Sequence, residues 1–110
     1  CDMASTGDII IPNTIDGYPV TTIAEHAFTS CYRITSIVIP DSVTTIGNYA
    51  FSACDGLKNV TIGSGVKTLG HSVFWACKNL ETVVIENGVE VEAENAILYG
   101  NFIQMILEFF

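Results

Sequence analysis

A chain of 110 residues with four Lys and Arg against twelve Asp and Glu has room for one small domain, and its net charge of −8 gives no basic footprint for nucleic acid or an anionic membrane surface. Hydrophobic residues make up 49% and charged residues only 15%, a balance that predicts a packed core rather than disorder. No apolar run reaches the roughly 18 residues a membrane span needs.

The N-terminal "CDMASTGD" lacks the basic start and apolar stretch of a signal peptide. It begins with Cys1 rather than Met, which leaves two readings: an acylated terminus like that of mature bacterial lipoproteins, or a fragment boundary. Residues 1–8 read as a polar tail. The stretch "IIIPNTIDGYPV" then runs from Ile9 to Val20, with turn-forming Asp16-Gly17 and Pro19, and reads as a short strand followed by a small hairpin.

From Ile34 the chain says nearly the same thing twice. Phe28, Phe51 and Phe74 are 23 residues apart, and so are Cys31, Cys54 and Cys77. The same step links Ile23, Ile46 and Leu69, then Val20, Val43, Val66 and Val89. It also links Ile34, Leu57 and Leu80, then Ile37, Val60 and Val83, then Ile39, Ile62 and Ile85. Other columns vary freely: Glu25, Asn48 and His71 share one, and Tyr32, Asp55 and Lys78 another. Constant apolar columns point inward and varied ones outward.

Within a unit, "LKNVTI" alternates apolar residues and is rich in β-branched ones, so it reads as a strand. Pro40 ends the first of these, having no N–H to give. "SVTTIG" reads as a second short extended piece. "NYAFSAC" reads as a compact, helix-tolerant segment, with Asn48 available as its cap and a turn at Gly47 and Gly70. One unit buries too little apolar surface to offset the ordering of its own backbone, so the units must stack as a solenoid.

The frame Ile34-x-x-Ile37-x-Ile39-Pro40-x-x-Val43-x-x-Ile46-Gly47-x-x-Ala50-Phe51-x-x-Cys54-x-x-Leu57 resembles the BspA-type, or treponemal-type, leucine-rich repeat. That resemblance implies a leucine-rich repeat solenoid, with short parallel strands on one face and short helical segments and turns on the other. It divides the chain into a capping unit at 9–33, full repeats at 34–56 and 57–79, and a degenerate repeat with a C-terminal cap at 80–110. The first unit fits with five extra residues allowed. In the last, Ile97 stands where Phe belongs and Gly100 where Cys belongs, while "NGVEVEAEN" alternates like an edge strand. The apolar "FIQMILEFF" reads either as a cap over the last coil or as a truncation scar. The resemblance also implies a bacterial surface or secreted protein that binds host matrix or other proteins in adhesion.

Catalytic and metal signals are weak. The cysteines form no C-x-x-C pair and recur with no His, so zinc has no support and small buried hydrophobes are the better reading. Stacked cysteines one coil apart also point in parallel and bridge badly. His26 and His71 share no motif with a nucleophile, and the Glu90, Glu92, Glu94 comb lacks a calcium loop's spacing. No cofactor and no enzymatic activity are expected. By strand alternation Ser36, Val38, Asn59, Thr61, Thr82 and Val84 face outward as a candidate protein-binding surface. Trp75, in a column with Thr29 and Ser52, is a second, exposed candidate. A structural spacer within a longer array is the rival reading, and self-association through exposed solenoid ends is open to either.

Overall fold

The structure is a computed structural model, and it describes residues 7–86 together with the backbone of 89–92. Ten short strands follow in order: β1 Gly7–Ile10, β2 Thr14–Ile15, β3 Tyr18–Pro19, β4 Thr22–Ile23, β5 Ile34–Ile39, β6 Thr45–Ile46, β7 Asn59–Ile62, β8 Thr68–Leu69, β9 Thr82–Ile85 and β10 Val89–Glu92. They wind into a parallel solenoid. The main sheet has the order β1-β5-β7-β9-β10, and a second, three-stranded sheet has the order β4-β6-β8.

The register is the sequence period made physical. Ile37 pairs with Val60 and Val60 with Val83, and Ile39 with Ile62 and Ile62 with Ile85. Each step is 23 residues, so each column becomes a ladder whose rungs are about 4.8 Å apart. Ile34, Ile37, Ile39, Leu57, Val60, Ile62 and Val83 are all buried. The phenylalanine column stacks: Phe28 and Phe51 lie 5.1 Å apart between ring centroids and Phe51 and Phe74 5.6 Å, in nearly parallel planes. Such offset stacks add to what burial alone gives.

The extra five residues of the first unit make the expected hairpin. β2 and β3 pair antiparallel, and Asp16 and Gly17 between them have φ of 52° and 83°. Two positive φ values are what a tight, two-residue turn with the strands' own twist requires. Ile15 and Tyr18 on this hairpin stay exposed. At the far end the coil stops repeating. β10 folds back antiparallel on β9, with Glu90 opposite Val84 and Glu92 opposite Thr82, so the Val89 column does not continue as it does through Val43 and Val66. Cys1, Glu94, Ile97, Gly100 and the "FIQMILEFF" segment lie outside the described residues.

The expected helical segments are absent: among the described residues there is no α-helix. Residues 47–54 form an arc of turns with two left-handed corners, and these recur in each of the three described arcs. His26, Tyr49 and Ser72 have φ of 60°, 58° and 58°, and Ser30, Ala53 and Ala76 have 61°, 56° and 61°. A helix cannot hold such residues. Inter-coil bonds sustain them instead. Tyr49, Phe51 and Ala53 donate their N–H groups to the carbonyls of His71, Val73 and Trp75, at 3.2, 3.0 and 2.7 Å. The alternate N–H groups of Ala50 and Ser52 close local turns onto Gly47 and Tyr49. Asn48 is thus not a helix cap; its Oδ1 accepts the N–H of His71 in the next coil at 3.0 Å. Asp41 does the same for Ser64 at 2.8 Å. Stacking, not local propensity, satisfies the backbone here.

Candidate protein-binding face

The main sheet turns one side to the core and the other outward, and its burial alternates strand by strand. On the outer side the structure brings six of the expected residues into two straight rows. Ser36, Asn59 and Thr82 are in register, and so are Val38, Thr61 and Val84. The first row is a hydrogen-bonding row, in which Thr82 Oγ1 donates to Asn59 Oδ1 at 2.6 Å. The second is apolar, with one Thr.

β1 extends both rows by a rung that the repeat period does not reveal. Asp8 pairs with Ser36 and Ile10 with Val38. Ser36 Oγ donates to Asp8 Oδ1 at 2.7 Å, and Ile10 is 74% exposed. The inserted hairpin hides this rung, because Ile9 and Ile37 are 28 rather than 23 residues apart. Subtracting the five extra residues aligns them.

Trp75 lies on the arc, away from these rows, and is 57% exposed as its column suggested. Its column mate Ser52 is not: Ser52 is 3% exposed, and its hydroxyl sits 3.0 Å from Thr29 Oγ1, which itself donates to the carbonyl of Tyr49 at 2.8 Å. A column of polar residues can therefore turn inward where a neighbouring coil supplies partners. Trp75→Ala is expected to change stability by no more than about 0.5 kcal/mol, measured by denaturant unfolding. A larger loss would mean that the indole is part of the packing.

The arc also carries an aromatic strip, in which His26 and His71 are exposed and Tyr49 is half-buried between them. The rings of His26 and Tyr49 stack 5.1 Å apart and nearly parallel, and His71 meets Tyr49 edge-on at 5.2 Å. Among the described residues no three His, Cys, Asp or Glu side chains gather into a metal site.

The cysteine column is mixed. Cys54 and Cys77 are free and buried, and their thiols donate to the carbonyls of Phe28 and Phe51, at 3.1 and 2.9 Å. They act as small core residues with a weak donor. Cys31 is disulfide-bonded, though to neither of its column neighbours, so the column is not uniformly one of inert thiols. The adjacent Cys54 thiol, and then burial, push Cys77 well above the ordinary thiol range. Because both side chains are buried, Cys54 and Cys77 should resist alkylation in the native protein and react rapidly on unfolding in denaturant. Rapid native labelling of Cys77 would contradict its placement.

A 23-residue coil, a main sheet in which β1, β5, β7 and β9 run parallel, a stacked phenylalanine column and a cysteine column together define a leucine-rich repeat solenoid. The family model of the BspA type leucine rich repeat region matches residues 3–107 in six copies, and the chain belongs to that family. A crystal structure of a leucine rich repeat protein from T. pallidum is similar, at 32% identity and a TM-score of 0.68 over 70% of this chain. A leucine rich cell surface protein from Faecalibacterium prausnitzii A2-165 is similar at 39% identity and a TM-score of 0.58, also over 70% of this chain. The match covers 36% of the first protein and 22% of the second, so this chain corresponds to a minor part of each. No curated protein matches it.

Proposed function

We propose that this chain is a non-catalytic protein-binding module of a bacterial cell-surface or secreted protein, acting in adhesion or host contact through the outer side of its main sheet. The observation that carries this reading is the pair of in-register rows, one hydrogen-bonding and one mostly apolar, running across β1, β5, β7 and β9. Rows already held in register by strand pairing leave little to order on the module's side, so several shallow contacts can add up. The cell-surface description of the F. prausnitzii relative supports the location. The partner is a protein, such as a host matrix component, and no cofactor is needed.

The test is binding to immobilised matrix proteins, comparing the native chain with a variant carrying Val38→Lys, Thr61→Lys and Val84→Lys. The native chain should bind, and the folded variant should lose at least about tenfold in affinity. Equal binding by the two would move the site elsewhere, and no binding by either would favour a spacer.

A further inference from the structure

The outward rows of the main sheet end in acids. On one side β1 sets Asp8 in register with Ser36. On the other, β10 sets Glu92 in register with Thr82 and Glu90 with Val84. Directly opposite residues of paired strands belong to one face, so Asp8 and Glu92 stand at the two ends of the polar row and Glu90 at one end of the apolar row. Glu90 and Glu92 join this face only because β10 folds back on β9. A third row runs beside these, through Thr35, Lys58 and Glu81; the N–H groups of Lys58 and Glu81 donate to the carbonyls of Thr35 and Lys58, both at 2.8 Å.

The charges of the face are uneven. Asp8, Glu81, Glu90 and Glu92 give four acids against the single cation Lys58, a net charge of −3 over the three rows. Asp8, Lys58 and Glu81 are exposed, and the ion pairs among the described residues, Glu25 with His26 and Asp55 with Lys78, involve none of them. Ser36 Oγ donates to Asp8 Oδ1 at 2.7 Å and Thr35 Oγ1 at 3.4 Å, which holds that carboxylate against the sheet. The centre of the two main rows is uncharged, and Val38, Thr61 and Val84 there are half-buried. A neutral, partly apolar centre inside a charged rim is the usual build of a protein interface, and the sign of the rim selects the partner.

We propose that this face selects a basic protein surface, with cations that meet Asp8 at one end and Glu90 and Glu92 at the other, on either side of an uncharged apolar strip that covers Val38, Thr61 and Val84. This chemistry rests on the reading of the outer face as a binding surface and specifies its partner. Asp8 and Glu92 are four strand spacings apart in the order β1-β5-β7-β9-β10, about 19 Å. The partner's cations must be separated by that distance, which an extended segment covers in about six residues. A second copy of the chain fits poorly, because it carries the same acids and a net charge of −8, and like charges meet at the rims.

The test uses the full chain, fluorescence anisotropy and three labelled peptides: KKTVTVTKK, its acidic counterpart EETVTVTEE, and KKTSTSTKK, which lacks the apolar strip. The native chain should bind the first about fivefold or more tightly than either of the others, with raised salt closing the gap between the first two. A face variant carrying Asp8→Asn, Glu90→Gln and Glu92→Gln should lose about fivefold or more for KKTVTVTKK, because several weak exposed pairs are removed together. A control carrying Asp16→Asn, Glu25→Gln and Glu86→Gln, exposed acids outside the three rows, changes the net charge equally and should keep its affinity. Circular dichroism checks the fold of both. Equal loss in the two variants overturns the proposal, since net charge alone would then attract the peptide, and so does failure of KKTVTVTKK to bind or to be preferred. Immobilised matrix proteins are run in parallel. If they bind the native chain while the peptides are not discriminated, the basic partner falls and the binding face stands; if the basic peptide is selected and no matrix protein binds, the matrix reading falls and the partner chemistry stands.

Discussion

Phe51→Asp is expected to leave the chain unfolded at 25 °C, with far-UV circular dichroism showing loss of strand and Trp75 fluorescence shifting to that of the denatured protein. Phe51 is 0% exposed and lies between Phe28 and Phe74 in one stack. Removing the ring alone forfeits about 3–5 kcal/mol, the usual loss for a buried Phe cut to Ala. A carboxylate in its place has no cation in the column and must either stay charged without water or bind a proton. Small domains are stable by only about 5–15 kcal/mol, so the sum exceeds what one fold of this size can absorb. Phe51→Leu, which keeps an apolar side chain but ends the stack, should remain folded with a moderately lower midpoint. A cooperative transition for Phe51→Asp near that of the native chain would refute the stacked column.

Gly63→Ala should cost about 3 kcal/mol or more in denaturant unfolding, although it adds a single methyl group. A Cβ at Gly63 would stand 2.6 Å from the carbonyl carbon and oxygen of Pro40 and 2.7 Å from the N of Asp41. All three are backbone atoms of the preceding coil, fixed by the ladder on either side. The coils must part for the methyl to fit, and overpacking against rigid backbone is strongly destabilising. Gly17→Ala is the contrasting case. Gly17 has φ of +83°, and a methyl group there would meet no atom within 4 Å, so only the left-handed conformation penalises it, by about 1–2 kcal/mol. If the two substitutions cost the same, close approach of the coils is not what selects glycine at Gly63.

The two glycines show how far the sequence could be read. Asp16-Gly17 announces a turn through local chemistry alone, and the hairpin is there. Gly63 shares its column with Pro40 and Glu86, which in sequence looks like free variation at a surface. Only the stacked backbone of Pro40 and Asp41 makes it a close contact. The arc fails for the same reason. Tyr49 and Ala53 carry no sign of a left-handed φ, because glycine and asparagine are the usual signals and neither stands there. Local propensity therefore suggests a helix, and the N–H···O=C bonds to His71, Val73 and Trp75 override it. At the end of the array, Asn87-Gly88 is a strong hairpin signal between two strands. The repeat spacing of Val89 masks that signal, because it points to one more coil in the same column.

The candidate face divides in the same way. Strand alternation places Ser36, Val38, Asn59, Thr61, Thr82 and Val84 on one side, because side-chain direction in a strand depends only on position along it. Asp8 and Ile10 join them only through the pairing of β1 with β5 across the inserted hairpin. Ser52 turns inward against its polar character because Thr29 of the coil before offers its hydroxyl.

What the sequence determined by itself was the period, the identity of the buried columns and hence the solenoid, since a fixed interval of apolar residues can be buried all at once only by coiling. What the tertiary structure decided was everything set by contact between one coil and the next: the left-handed corners, the glycine that must stay bare, the extra rung at β1 and the reversal into β10. Those depend on backbone atoms about a full coil away, or on a pairing partner, that no local stretch of sequence can see.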